Sequence, residues 1–186
     1  RTGEGINWPA GNSSDTFYTG TLSTIADIDG RGGQELVTGI TAYRPNGTVL
    51  WQASDTWSGP ESLPDGFPAV GDFNQDGDPE VVVSADGTVR VHDGATGRVV
   101  WGPVDVIRGY TSTGDPIPGG RIGPPTVADF DDDNTPEVGV AGANQYVTLE
   151  VDLSTPDVEF ADAKIWSKKT QDASSNMTGS SVFDFE

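Results

Sequence analysis

Three nine-residue acidic segments recur along this chain, each running straight into an apolar stretch: Asp27-Ile-Asp29-Gly-Arg31-Gly-Gly-Gln-Glu35, Asp72-Phe-Asn74-Gln-Asp76-Gly-Asp78-Pro-Glu80 and Asp129-Phe-Asp131-Asp-Asp133-Asn-Thr135-Pro-Glu137. A fourth opening, Asp184-Phe-Glu186, stands at the end of the sequence. Self-similarity of this kind means a series of alike units, each of which buries its apolar face only against a neighbour. Carboxylate and amide side chains at loop positions 1, 3 and 5, with glutamate at position 9, can also close their oxygens around one hard cation.

The loops sit inside a longer pattern. A small apolar approach precedes each one: Ser23-Thr-Ile-Ala26, Pro68-Ala-Val-Gly71, Pro125-Thr-Val-Ala128 and Ser180-Ser-Val-Phe183. A strand-like run follows (Glu35-Leu-Val-Thr-Gly, Glu80-Val-Val-Val-Ser, Glu137-Val-Gly-Val-Ala), then turn formers, then a third run such as Thr88–Asp93 or Gln145–Val151. Each unit closes on a run ending in tryptophan, at Trp51, Trp101 and Trp166. The first aspartates lie 45, 57 and 55 residues apart. A period of ~40–50 residues carrying about four strands is the signature of propeller blades. The predicted fold class is therefore all-β: a β-propeller segment with three complete four-stranded blades, at about residues 21–60, 61–110 and 120–170, and the start of a fourth at 176–186.

Residues 1–20 fall outside the repeat and read as an N-terminal arm or linker, or as a strand that closes a blade here or in a neighbouring molecule. Excess length lies in two turn-rich insertions, Gly102–Pro124 and Ser154–Ala163, and no substantial helix is expected. Alternation along Thr88–His92 puts Val89 and Val91 on one face, as in a half-buried strand. The tryptophans, placed alike in every unit, are expected to pack between blades.

A formal charge of −19 argues against nucleic-acid binding, which needs a basic surface to displace counterions. The chain has no cysteine, so neither disulfide staples nor thiol chemistry is available. No apolar stretch approaches membrane-spanning length, so membrane insertion is not expected. Nothing at Arg1 resembles a secretion signal, although a mature segment would have lost one. The single histidine, His92, sits mid-strand where an aromatic would pack. No nucleophile elbow and no phosphate-binding glycine loop occurs, so no catalytic residue is assigned.

The unit Pro68-Ala-Val-Gly-Asp-Phe-Asn-Gln-Asp-Gly-Asp-Pro-Glu-Val-Val-Val resembles the FG-GAP/VCBS repeat family, the calcium-loop blades of integrin alpha-chain propellers and of many large bacterial extracellular proteins. The likeness extends over nearly all of residues 21–186. It implies a propeller, commonly a ring of roughly seven blades, with calcium as the cofactor. It also implies an extracellular or cell-surface location and a binding or adhesion role, catalysis being a minority outcome. Half a ring would need further blades elsewhere in the polypeptide, another copy, or end-to-end assembly to cover its open faces.

Calcium takes six to eight oxygens at ~2.3–2.6 Å in irregular geometry. The second loop is the fullest match: side chains of Asp72, Asn74 and Asp76, the Asp78 carbonyl and Glu80, with Gly77 at the bend. The third offers Asp129, Asp131, Asp133, the Thr135 carbonyl and Glu137, with Asn134 replacing the bend glycine. The first carries Arg31 at position 5, which reads as a degenerate or weak loop in which the guanidinium pairs with Asp27, Asp29 or Glu35 in place of a cation. Asp184 and Glu186 could begin a fourth site. Asn12, Asn46 and Asn176 fit the glycosylation acceptor pattern.

The leading functional expectation is a non-catalytic, calcium-stabilised extracellular module for adhesion, binding or scaffolding, meeting a protein or glycan ligand at the cell surface. Two alternatives stand beside it. One is a structural subunit that self-assembles through the incomplete ring into a fibre or surface layer. The other is a carbohydrate-active protein, lectin or polysaccharide lyase, using the tryptophans and Tyr110.

Overall fold

The apolar runs behind the loops are rich in β-branched residues and too short for a helix, and each becomes the second strand of a four-stranded sheet. The computed structural model describes residues 22–53, 63–106, 109–110, 116–117, 122–142, 145–171 and 178–182. The first sheet comprises β1 (Thr24–Ala26), β2 (Glu35–Thr38), β3 (Thr41–Tyr43) and β4 (Val49–Gln52). The second comprises β5 (Phe67–Gly71), β6 (Glu80–Ala85), β7 (Thr88–Asp93) and β8 (Val99–Asp105). Between the second and third lie β9 (Gly109–Tyr110) and β10 (Pro116–Ile117), which pair with each other. The third sheet comprises β11 (Thr126–Ala128), β12 (Glu137–Gly142), β13 (Gln145–Leu149) and β14 (Lys164–Lys169). All three are antiparallel, with neighbours in sequence order.

Each sheet packs face to face on the next, so the middle one is covered on both sides. Along β6 every residue is buried. Val81 and Val83 join Val37, Ala42 and Trp51 in the core between the first two sheets, while Val82 points the other way, to Val138, Val140 and Val147 of the third. That double burial corrects the half-buried expectation for β7. Arg90 and His92, on the face opposite Val89 and Val91, are as fully buried as the valines. The first strands gather at one side, β5 lying beside both β1 and β11.

Position by position, the sheets present the same two faces. In the second, Val70, Val81, His92 and Val99 form a row across all four strands and face the first sheet, His92 against Trp51. The matching row of the first sheet is Ile25, Leu36, Tyr43 and Val49. Nothing precedes that sheet among the described residues, and Ile25, Leu36 and Val49 are 63%, 38% and 49% exposed. On the opposite face of each sheet a loop residue and a tryptophan point forward. Ile28 and Trp51 face the second sheet, Phe73 and Trp101 the third. Phe130 and Trp166 pack together with Tyr146 on the third. Tyr146 Oη and Ser180 Oγ lie 2.8 Å apart, and Thr126 Oγ1 donates to the Ser180 carbonyl at 3.0 Å, so the opening of the fourth unit lies against this last sheet.

The tryptophans are thus packing residues within their strands, as expected, but β8 runs four residues beyond Trp101, into the first insertion. The second insertion holds one helical turn, α1 (Phe160–Ala163). Among the described residues no helix is long and apolar enough to cross a membrane.

Candidate metal centre

The three acidic loops share one backbone. Position 4 is left-handed in each, at Gly30 (φ 65°), Gln75 (φ 58°) and Asp132 (φ 67°), and so is position 6, at Gly32 (φ 78°), Gly77 (φ 94°) and Asn134 (φ 73°). Gln75 and Asp132 hold that conformation at a cost of roughly 1–2 kcal/mol each, which the loop's hydrogen bonds offset. The position-6 amide donates to the first aspartate every time: Gly32 N to Asp27 Oδ2 at 3.0 Å, Gly77 N to Asp72 Oδ2 at 3.0 Å, Asn134 N to Asp129 Oδ2 at 2.9 Å. The position-2 amide donates back to the closing glutamate, Ile28 to Glu35 at 3.1 Å, Phe73 to Glu80 at 3.0 Å and Phe130 to Glu137. The glutamate starts the second strand of each sheet, and Glu35, Glu80 and Glu137 are all buried.

In the third loop one carboxylate oxygen from each of Asp129, Asp131, Asp133 and Glu137 lies within 4.8 Å of the other three. Glu137 is wholly buried, and its Oε1 has no hydrogen-bond partner. A buried carboxylate oxygen with no donor is costly unless something positive reaches it. The all-oxygen donor set and that orphaned atom together fit a hard divalent cation. Burial pushes the Glu137 carboxyl up to about 6; the Phe130 amide opposes the rise, and Asp131, Glu150 and Asp129 add to it. Asp133 is held low by the hydroxyl and amide of Thr135.

The first loop is gathered in the same way, Asp27, Asp29 and Glu35 lying within 4.8 Å of one another, with Asp27 Oδ1 unpartnered. Arg31 extends into solvent, 78% exposed, and among the described residues its guanidinium forms an ion pair only with Asp29, at 3.9 Å. That contact gives part of the internal ion pair expected from the sequence, and the guanidinium is not drawn in among the three carboxylates.

The second loop, the fullest match by residue type, is not among the gathered carboxylate groups. Two of its side chains are turned on one another, Asn74 Nδ2 donating to Asp76 Oδ2 at 2.9 Å, while the Asp78 amide donates to Asp76 Oδ1 as the Thr135 amide does to Asp133 in the third loop. Burial, above all, raises the Glu80 carboxyl; the Phe73 amide opposes it, and Asp76, Asp72 and Asp93 add to it. The loops adjoin along one rim: Gln75 Nε2 donates to the Asn134 carbonyl, and Gly30 lies beside the Asp78 carboxylate. An open cleft of ≈ 630 Å³ beside the second loop is lined by Asn74, Asp76, Asp78, Glu80, Asp93 and Arg98.

Reading the sequence missed the residue that faces each closing glutamate from the third strand. Glu80 is paired with Asp93. One residue past the last pair Val138↔Leu149 come Glu137 and Glu150 on the two strands, and one residue past Leu36↔Tyr43 come Glu35 and Arg44. The signal was present as an acid closing the third run in two units and a base in the other. It needed the hairpin register to be read.

His92 is not placed for proton transfer. It is fully buried, stacked on Trp51, hydrogen-bonded through Nδ1 to the Gly97 carbonyl and approached at Nε2 by Arg90 Nε at 3.0 Å. Burial, with the Arg90 charge beside it, pushes its pKa down to about 4. Asn46 lies on an exposed turn, its Oδ1 accepting from the Thr48 amide and hydroxyl. Asn12, Asn176, Asp184 and Glu186 lie outside the described residues, as does the side chain of Tyr110.

Comparison with curated proteins finds no match. Among solved structures the chain is similar to the V. cholerae biofilm matrix protein Bap1, with 22% identity and a TM-score of 0.48 over 80% of this chain and 20% of that one. It is also similar to the rhamnogalacturonan lyase YesW, with 18% identity and a TM-score of 0.49 over 83% of this chain and 35% of that one. The chain thus spans about a fifth to a third of the length of these neighbours. Residues 72–140, from the first aspartate of the second loop through the third loop and into β12, match the family model described as FG-GAP-like repeat.

Proposed function

We propose that this chain is a calcium-stabilised segment of a β-propeller, serving outside the cell as a non-catalytic module for adhesion, binding or scaffolding. The observation that carries the reading is the third loop: four gathered carboxylates, one wholly buried with an unpartnered oxygen. Asp129, Asp131, Asp133 and Glu137 would hold the ion there. Its chemistry would be charge compensation, tying the loop to the start of β12. The second loop would hold another through Asp72, Asn74, Asp76, the Asp78 carbonyl and Glu80.

Three face-packed four-stranded sheets, with the exposed row Ile25, Leu36, Val49 where the later sheets are covered, support consecutive blades with further sheets beyond the first. The single histidine, buried between sheets, supports a non-catalytic role. The test is thermal: the chelated protein should melt several degrees lower than the same protein in millimolar calcium, and Asp133→Asn should remove much of the difference. Equal melting with and without calcium would overturn the reading.

A further inference from the structure

We infer that the third-strand residue facing each closing glutamate sets how tightly its loop holds a divalent cation: Glu150 strengthens the third site, Asp93 the second, and Arg44 weakens the first. This rests on the calcium reading above and adds residues that lie outside the repeated loop segments.

The three repeats make the comparison internally. Their loops have the same backbone, the same amide-to-aspartate bond and the same amide-to-glutamate bond, so differences in affinity must come from side chains around that common frame. The facing position changes sign among them, from Arg44 to Asp93 to Glu150. In the third unit the Glu150 backbone is anchored, its amide donating to the Ala163 carbonyl at 2.8 Å, and its carboxylate feels the charges of Asp133 and Asp131. Glu150 stands outside the gathered group of four, which places it beyond the inner ligands, where a carboxylate acts by charge and by accepting from ion-bound water. In the second unit Asp93 uses Oδ1 for the Thr96 amide and hydroxyl, at 2.8 and 2.6 Å, and lines the cleft with Glu80. In the first unit Arg44 is fixed by a 2.7 Å bond from Nη1 to the Val49 carbonyl. A positive charge at this position opposes an ion entering the first loop.

The amides of Gly32, Gly77 and Asn134 give one reporter per loop, because each donates to the first aspartate of its own site. Calcium titration of the ¹⁵N-labelled chain, followed at these three amide signals, is the experiment. Glu150→Gln should raise the calcium midpoint at Asn134 by roughly five- to tenfold, the size expected of one charge several ångströms from a divalent ion in a largely aqueous setting, and leave Gly77 in place. Asp93→Asn, which keeps the oxygen used by Thr96, should do the reverse, and Arg44→Glu should lower the midpoint at Gly32. If Glu150→Gln and Asp93→Asn leave their own reporters within twofold of the parent, the inference is overturned while the calcium reading stands. If none of the three amides responds to calcium in the parent chain, the calcium reading itself fails.

Discussion

The indole of Trp51, on the first sheet, stacks on the imidazole of His92, on the second, with ring centres 6.1 Å apart and planes 12° from parallel. Trp51 Nε1 also donates to the Gly94 carbonyl at 2.7 Å, across 43 residues of sequence. One side chain thus ties two sheets together by packing and by a buried hydrogen bond. Trp51→Phe keeps most of the packing, removes the donor and leaves a buried carbonyl unpaired, which should cost about 1–3 kcal/mol. Urea denaturation followed by far-UV circular dichroism measures it.

His92 should make stability depend on pH in a defined direction. Its folded pKa is lowered to about 4, below the ~6.5 of an exposed histidine. Between those values the unfolded chain takes up a proton that the folded chain refuses, so stability falls as pH drops from about 6.5 towards 4. Glu137 acts oppositely in the metal-free protein. Its raised pKa favours the folded state at low pH, a contribution lost as pH rises through about 6. His92→Gln keeps an acceptor for Arg90 Nε and removes the titration. The difference between parent and variant in urea midpoint should therefore shift steadily between pH 7 and pH 5, with the Glu137 contribution cancelling.

Equivalent positions on successive sheets should tolerate charge very differently. Leu36, Val81 and Val138 each follow a closing glutamate, and only Leu36 is exposed. Leu36→Lys should change stability by no more than about 0.5 kcal/mol and reduce self-association by light scattering. Val81→Lys, which buries a charge between two sheets, should leave little folded protein.

Glu137→Gln should abolish most of the calcium-dependent rise in melting temperature, because it neutralises the buried member of the third group. Asp86→Asn, at an exposed turn outside the loops, should leave that rise intact. Scanning calorimetry with and without calcium compares the two.

Much of this was legible in the residues themselves. The loop repeat gave the three units, the β-branched runs gave their second strands, and the aligned tryptophans gave packing positions between the sheets. The burial of Arg90 and His92 was not legible, because alternation along β7 describes one strand and cannot show that its sheet is covered on both faces. The left-handed backbone at Gln75 and Asp132 was hidden for a different reason. Neither residue type signals positive φ as glycine does, and only the common loop frame imposes it. Likeness of residue type could not show the bond from Asn74 to Asp76 at the second loop, which depends on how the two side chains are turned. Residues facing across a hairpin, Glu150, Asp93 and Arg44, needed the strand register.

The most direct measurement is a crystal structure of the chain grown in millimolar calcium, with anomalous data collected at a long wavelength. The account expects a strong anomalous peak among Asp129, Asp131, Asp133 and Glu137, at calcium–oxygen distances of ~2.3–2.6 Å, with Glu137 Oε1 among its ligands. A well-ordered third loop with no peak there would contradict it.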